Sequence, residues 1–194
     1  MIWWLRIRAA PAVLAALLVV AAVATLARSS EVAVPSVVGG LTTGLPLRFL
    51  APVLPVLLIL YGQARADRAL EQVSARDVRW LDPAFALAFV VLALLASAVV
   101  PDGFAVTRNI AGYLGIALLL RWVSTLRLAM AVTAILPFAV ASLGGHRSNP
   151  AWWAWPLHSG DEPMAAVGAL ILFSLGLGSG FLKPLRADAR ETVN

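Results

Sequence analysis

Six apolar stretches, separated by connections too short to hold a folded domain, are the feature that most constrains this chain. They run from Ala9 to Ala27, from about Pro46 to Gly62, from Pro83 to Val100, from Asn109 to about Val123, from about Leu126 to Leu143, and from Pro163 to Leu182. A hydrocarbon core about 30 Å thick calls for roughly 20 apolar residues as helix, within a range of about 17–25. The pattern predicts an all-α transmembrane bundle of six spans that occupies residues 1–194 as a single domain. Composition agrees: 61% of the 194 residues are hydrophobic, 13% are charged, and the mean hydropathy is +0.88. A soluble domain carries about a quarter charged residues. A water-soluble protein this apolar could not cover its own surface.

The fourth and fifth stretches form one apolar region of 34 residues, Ile110–Leu143, broken only by Arg121 and Arg127. It is too long for one span and barely enough for two. A tight hairpin turning near Ser124-Thr125 puts both arginines at one interface, where their long side chains reach the headgroups. One long tilted span, giving five helices, is the competing arrangement. The first stretch resembles a signal peptide in its basic start, but its 19 apolar residues exceed the usual core of roughly 7–15. It is expected to be a span.

Charge orients the bundle. With the N-terminus inside, the inner segments hold Arg6, Arg8, Arg65, Arg68, Arg76, Arg79, Arg121, Arg127, Lys183, Arg186 and Arg190; the outer ones hold Arg28, Arg48, Arg108 and Arg147. Eleven against four follows the positive-inside rule, with both termini cytoplasmic. A five-span chain would move the last three basic residues outside. The net charge of +5 is thereby read as a topology signal and not as a nucleic-acid footprint. Trp3, Trp4, Trp80 and Trp122 fall at inner boundaries and Trp152, Trp153 and Trp155 near an outer one, where indoles favour the headgroup zone. Arginine outnumbers lysine fourteen to one, as in GC-rich bacterial coding, so a bacterial cytoplasmic membrane is the expected location.

The inner connection Gln63–Asp82 reads QARADRALEQVSARDVRWLD. Ala66, Ala69, Leu70 and Val73 recur at helical spacing, and Ser74 with Asp77 has capping-box spacing. Arg68, Glu71, Arg76, Asp77, Arg79 and Trp80 supply a mixed-charge face. Such a segment either lies on the inner leaflet or docks a cytosolic partner, and the two are compatible. The outer connection Gly144–Glu162 holds Trp152, Trp153 and Trp155, too apolar for water, and is expected to dip into the interface or turn back into the protein. Its His146, His158, Asp161 and Glu162 have no metal-ligand spacing. In the sixth stretch Ser174–Gly178 and Gly176–Gly180 are small-xxx-small pairs that predict a close helix contact. Pro52, Pro55 and Pro137 predict kinks.

Absent motifs narrow the chemistry. No phosphate-binding G-x-x-x-x-G-K-[ST], no H-E-x-x-H and no G-x-S-x-G occurs. No cysteine is present. No span contains a carboxylate, as proton- and sodium-driven carriers usually do, and none offers a histidine to a haem. No enzyme activity and no cofactor are expected.

This layout resembles the ABC-2-type transporter permeases: six spans, a cytoplasmic N-terminus, an amphipathic inner connection after the second span, a tight inner turn between the fourth and fifth, and a partly apolar outer connection before the sixth. The resemblance implies a permease subunit of an ATP-driven exporter. It would pair with a like or unlike permease and dock cytosolic ATPase subunits that bind the ATP. Ala64–Leu81 would be the coupling helix and Trp152–Trp155 the re-entrant element. The alternatives are a non-transporting membrane subunit that anchors or assembles a larger complex, and a membrane enzyme such as a lipid-modifying one.

Overall fold

A computed structural model describes residues 5–6, 8–35, 37, 42–65, 80–146 and 149–182. It is mostly helical. Helix α1 spans Ala10–Leu26, the short α2 Leu47–Leu50, α3 Val53–Ala64, α4 Leu81–Ala96, α5 Gly103–Val123, α6 Leu126–Leu143 and α7 Pro163–Ser179. Two antiparallel hairpins, β1 (Glu31–Pro35) with β2 (Thr42–Pro46) and β3 (Gly145–His146) with β4 (Asn149–Pro150), sit in connections.

Among the described residues, three helical segments are long and apolar enough to cross a membrane: Leu47–Ala64 (α2 and α3 together), Gly103–Val123 and Leu126–Leu143. At 1.5 Å per residue, the 21 residues of α5 measure about 31 Å, one bilayer core. Helices α1, α4 and α7 are apolar but have 17, 16 and 17 residues, shorter than the stretches read from the sequence.

Prolines and turn residues set the boundaries. Pro52 has no N–H to donate, so the chain steps through a turn at residues 51–52 between α2 and α3, with Leu54 N–H on Ala51 C=O. Pro137 lies inside α6, which continues through it. Between α5 and α6 the chain turns at Ser124-Thr125. Ser124 is extended, its Oγ donates to Leu120 C=O at 2.5 Å, and Thr125 caps α6 through Leu128 N–H. The long apolar region is therefore two helices. They are antiparallel, since Ala105 at the start of α5 packs with Val140 and Ala141 at the end of α6.

Contacts elsewhere fix the remaining directions. Arg8, just before α1, meets the end of α3 at Gly62, and Leu47 N–H meets Ser30 C=O at the opposite end. Thr107 Oγ donates to Ala93 C=O at 2.9 Å, so α4 and α5 are antiparallel. Helices α5 and α7 run parallel: Gly160 lies near Ala105, Gly176 against Gly115, and Ser179 Oγ reaches Leu118 C=O at 3.5 Å. Helix α5 is the axis of the bundle, buried along most of its length, with Ile110, Tyr113, Leu114 and Ala117 in the main core among Val13, Val56, Phe89 and Phe173.

One stretch is corrected. The fourth was read from Asn109, but α5 begins six residues earlier, at Gly103. Arg108, expected in an outer connection, lies inside the helix and is 4% exposed. Its charge is tolerated there because neighbouring carbonyls receive it. The β1–β2 hairpin was not expected either: within the predicted outer segment 29–45, Val32 and Val34 alternate with exposed residues, and Val34 and Leu45 are buried against the end of α6.

Candidate functional site

Charged and polar side chains gather at the two ends of the bundle. At the end where α1 begins and α3 stops, Arg8 is 3% exposed. Its Nε lies 3.0 Å from Asp82 Oδ1, and its Nη1 donates to Gln63 C=O at 3.4 Å. Arg121, on the last turn of α5, donates to Gln63 Oε1. Gln63 and Asp82 are the two roots of the connection 64–81, so one buried guanidinium grips both. A second arginine ties the first root to the central helix. A buried charge is stable only when paired and hydrogen-bonded; Asp82 supplies the ion pair and the Gln63 carbonyl the hydrogen bond.

At the opposite end the connection between α6 and α7 turns back into the bundle. Arg108 donates through Nη1 to Ser159 C=O at 2.6 Å and through Nη2 to His158 C=O at 2.8 Å. Asn109, fully buried, donates through Nδ2 to Pro156 C=O at 3.2 Å. A one-turn 3-10 helix, Trp155–Leu157, is thereby seated against α5. The Trp155 ring stands 5.3 Å from that of Tyr113 at an interplanar angle of 54° and covers Gly112, where any Cβ would collide with the indole. Tyr113 Oη donates to Phe49 C=O at 3.2 Å, joining α2 to the same centre. Irregular backbone packed into a helical bundle requires its carbonyls to be satisfied by protein, and Arg108 and Asn109 satisfy those of Pro156, His158 and Ser159.

Beside this returning segment lies a cavity of about 450 Å³, lined by Arg48, Phe49, Ser97, Asp102, Phe104, Ser159 and Asp161 among others. Arg48 Nη1 meets Asp102 Oδ2 at 2.6 Å, and Arg28 Nε approaches the same oxygen at 3.4 Å. Asp102 precedes α5 in the left-handed region, φ 53°. Aspartate occupies that region more readily than most residues, and the conformation belongs to the turn that begins α5.

The residues singled out in the sequence fall as follows. Of the aromatic trio, Trp155 is inserted, whereas Trp152 is 89% exposed and Trp153 remains exposed beside it. Of the small residues in α7, Gly176 is buried against the backbone of Gly115, and Gly180 lies near Pro83. Ser174 and Gly178 are exposed on the outside, with no heavy atom within 4 Å of where a Gly178 Cβ would stand. Within this chain the close contact runs through Gly176 and not through Ser174–Gly178. A helix buries one face, and Gly176 sits on that face with Phe173 and Ser179. Trp80 is exposed at the start of α4. Arg68, Glu71, Arg76, Asp77 and Arg79 lie outside the described residues.

Arg108, Asn109, Tyr113, Arg48, Asp102 and Gln63 were not singled out. The signal for the first three was present: an Arg-Asn pair followed by Gly112 and Gly115 at i, i+3 marks a helix face that is approached closely. Compared with known proteins, the chain matches no family model, no curated sequence and no solved structure.

Proposed function

We propose that this chain is the membrane-spanning permease subunit of an ATP-driven exporter in a bacterial cytoplasmic membrane, crossing six times with both termini inside. Two permease subunits, alike or unlike, pair in the lipid, and cytosolic ATPase subunits dock on the inner connection and bind the ATP. The observation that carries the reading is the grip of Arg8 on both roots of that connection, Gln63 and Asp82, with Arg121 on the first. Force applied to residues 66–79 by a docked partner reaches α1, α3, α4 and α5 together. Helix α5 passes it through Gly115 to α7 and through Arg108 and Asn109 to the returning outer segment. In this reading Arg68, Glu71, Arg76, Asp77, Arg79 and Trp80 form the docking face, and Trp155 belongs to the re-entrant element.

Six spans are supported by the alternation of helix direction and by the eleven-to-four distribution of basic residues. The shorter α1, α4 and α7 cross with the help of flanking apolar residues and local thinning of the bilayer. The test is purification in mild detergent of the wild type and of a Glu71→Lys, Asp77→Lys double variant. The wild type should retain an ATPase whose turnover it stimulates, and the variant should lose retention or stimulation. Reversing both carboxylates disrupts a specific polar interface, whereas a helix that merely lies on anionic lipid tolerates added lysine. A purified complex whose other members include no ATPase would favour the anchoring-subunit reading instead.

A further inference from the structure

The carboxylate of Asp102 stands between two sets of partners. It sits immediately before α5, where an aspartate ordinarily accepts a hydrogen bond from the second or third amide of the helix. Here it makes no such cap. Its backbone is left-handed, φ 53°, whereas a capping residue is extended. The carboxylate is turned instead to Arg48 Nη1 at 2.6 Å and to Arg28 Nε at 3.4 Å, both on the same oxygen, Oδ2. Helix α5 therefore begins without a side-chain cap at the positive end of its dipole.

Each set of partners is met only in part. The Arg48 side chain is 15% exposed, and its Nε is buried with no acceptor among the described residues. A two-pronged guanidinium–carboxylate pair would have engaged a second donor and the second oxygen. Arg28 is 62% exposed, so water and salt screen its hold. Against these contacts stand a missing cap and a left-handed backbone at a non-glycine residue, and the extended, capped conformation removes both. One carboxylate with two competing sets of partners is the element a two-state device requires.

The exchange has a mechanical consequence. Arg48 belongs to α2, Arg28 follows α1, and Asp102 precedes α5. Arg48 and Asp102 line the cavity of about 450 Å³ together with Ser97, at the end of α4, and Ser159, in the returning segment. While the carboxylate holds the arginines, α1 and α2 are tied to the start of α5 at this cavity. Once turned back onto its own helix, it releases them.

We propose that Asp102 is a two-position latch over this cavity. Closed, it pairs with Arg48 and Arg28 in the left-handed conformation. Open, it is extended and caps the Phe104 or Ala105 amide, and the Arg48 wall separates from α5. The latch depends only on the geometry at this end of the bundle and holds with or without the exporter reading.

The test uses the full chain in nonionic detergent and two readouts. The first is the rate at which a small methanethiosulfonate labels Ala105→Cys, the sole thiol in a chain without native cysteine. Ala105 lines the cavity and is 2% exposed. The second, with Ala105 intact, is hydrogen exchange at the amides of residues 104 and 105, resolved by fragmentation mass spectrometry. In Arg48→Gln, labelling at position 105 should quicken about fivefold and exchange at 104–105 should slow about fivefold, the size of one N-terminal cap. General loosening speeds both, whereas the latch moves them in opposite directions. Arg28→Gln, at an exposed position, should shift both readouts the same way by less and serves if Arg48→Gln does not fold. Asp102→Ala, which can neither pair nor cap, should quicken both. Unchanged labelling in the arginine variants, or exchange at 104–105 that quickens with it, would overturn the proposal. So would slowed exchange in Asp102→Ala.

Discussion

Gly115 and Gly176 meet backbone to backbone at the centre of the bundle, the Cα of one helix against the position a side chain would take on the other. In lipid no hydrophobic force drives helices together, so close packing of backbones supplies much of the association. Substituting Gly176→Leu should destabilise by about 1–3 kcal/mol through overpacking, read as a lower melting temperature in detergent. Gly178→Leu, two residues away on the outer face, should change it little.

Arg108 with the His158 and Ser159 carbonyls predicts a second outcome. Arg108→Met removes both donors and leaves two carbonyls without partners at depth. The expected loss is on the order of 3 kcal/mol, two bonds to a charged group with partial relaxation. Release of the returning segment should appear as a red shift in Trp155 emission, measured with the other tryptophans replaced. Tyr113→Phe, which loses one neutral hydrogen bond to Phe49, should cost only about 1 kcal/mol.

The roots of the inner connection give a third. Asp82→Asn removes the carboxylate beside Arg8, at an expected cost of about 2–3 kcal/mol, less than the ~3–5 of a fully buried pair because Asp82 is partly exposed. If the grip on Gln63 and Asp82 transmits force, Asp82→Asn should also lower partner ATPase stimulation at temperatures where the bundle remains folded. Unchanged stimulation in the folded variant would leave the pair a structural role alone.

Much of the bundle was legible because lipid imposes one rule, burial of backbone polarity in helices, and apolar length reports it directly. The turn at Ser124-Thr125 was readable for the same reason. What failed was the treatment of a charge as a boundary. Arg108 looked like the end of a span because nothing in its neighbours reveals the carbonyls of His158 and Ser159, fifty residues away, that receive it. Gly178 misled in the same way. Small residues mark a close contact only on the buried face, and the rotation of α7 that buries Gly176 depends on Gly115 of another helix. The cavity was illegible altogether, since Arg48, Asp102 and Asp161, which line it, come from three separated segments.

The central claim is a six-span bundle with the connection 63–82 inside and 144–162 outside, and cysteine accessibility tests it most directly. The chain has no native cysteine, so Ser74→Cys and Ser159→Cys each introduce a single thiol. In sealed cells an impermeant maleimide should label the cysteine at position 159 and leave that at 74 unlabelled until the membrane is permeabilised. Equal labelling of both before permeabilisation, or labelling of position 74 alone, would contradict the six-span topology and with it the permease reading.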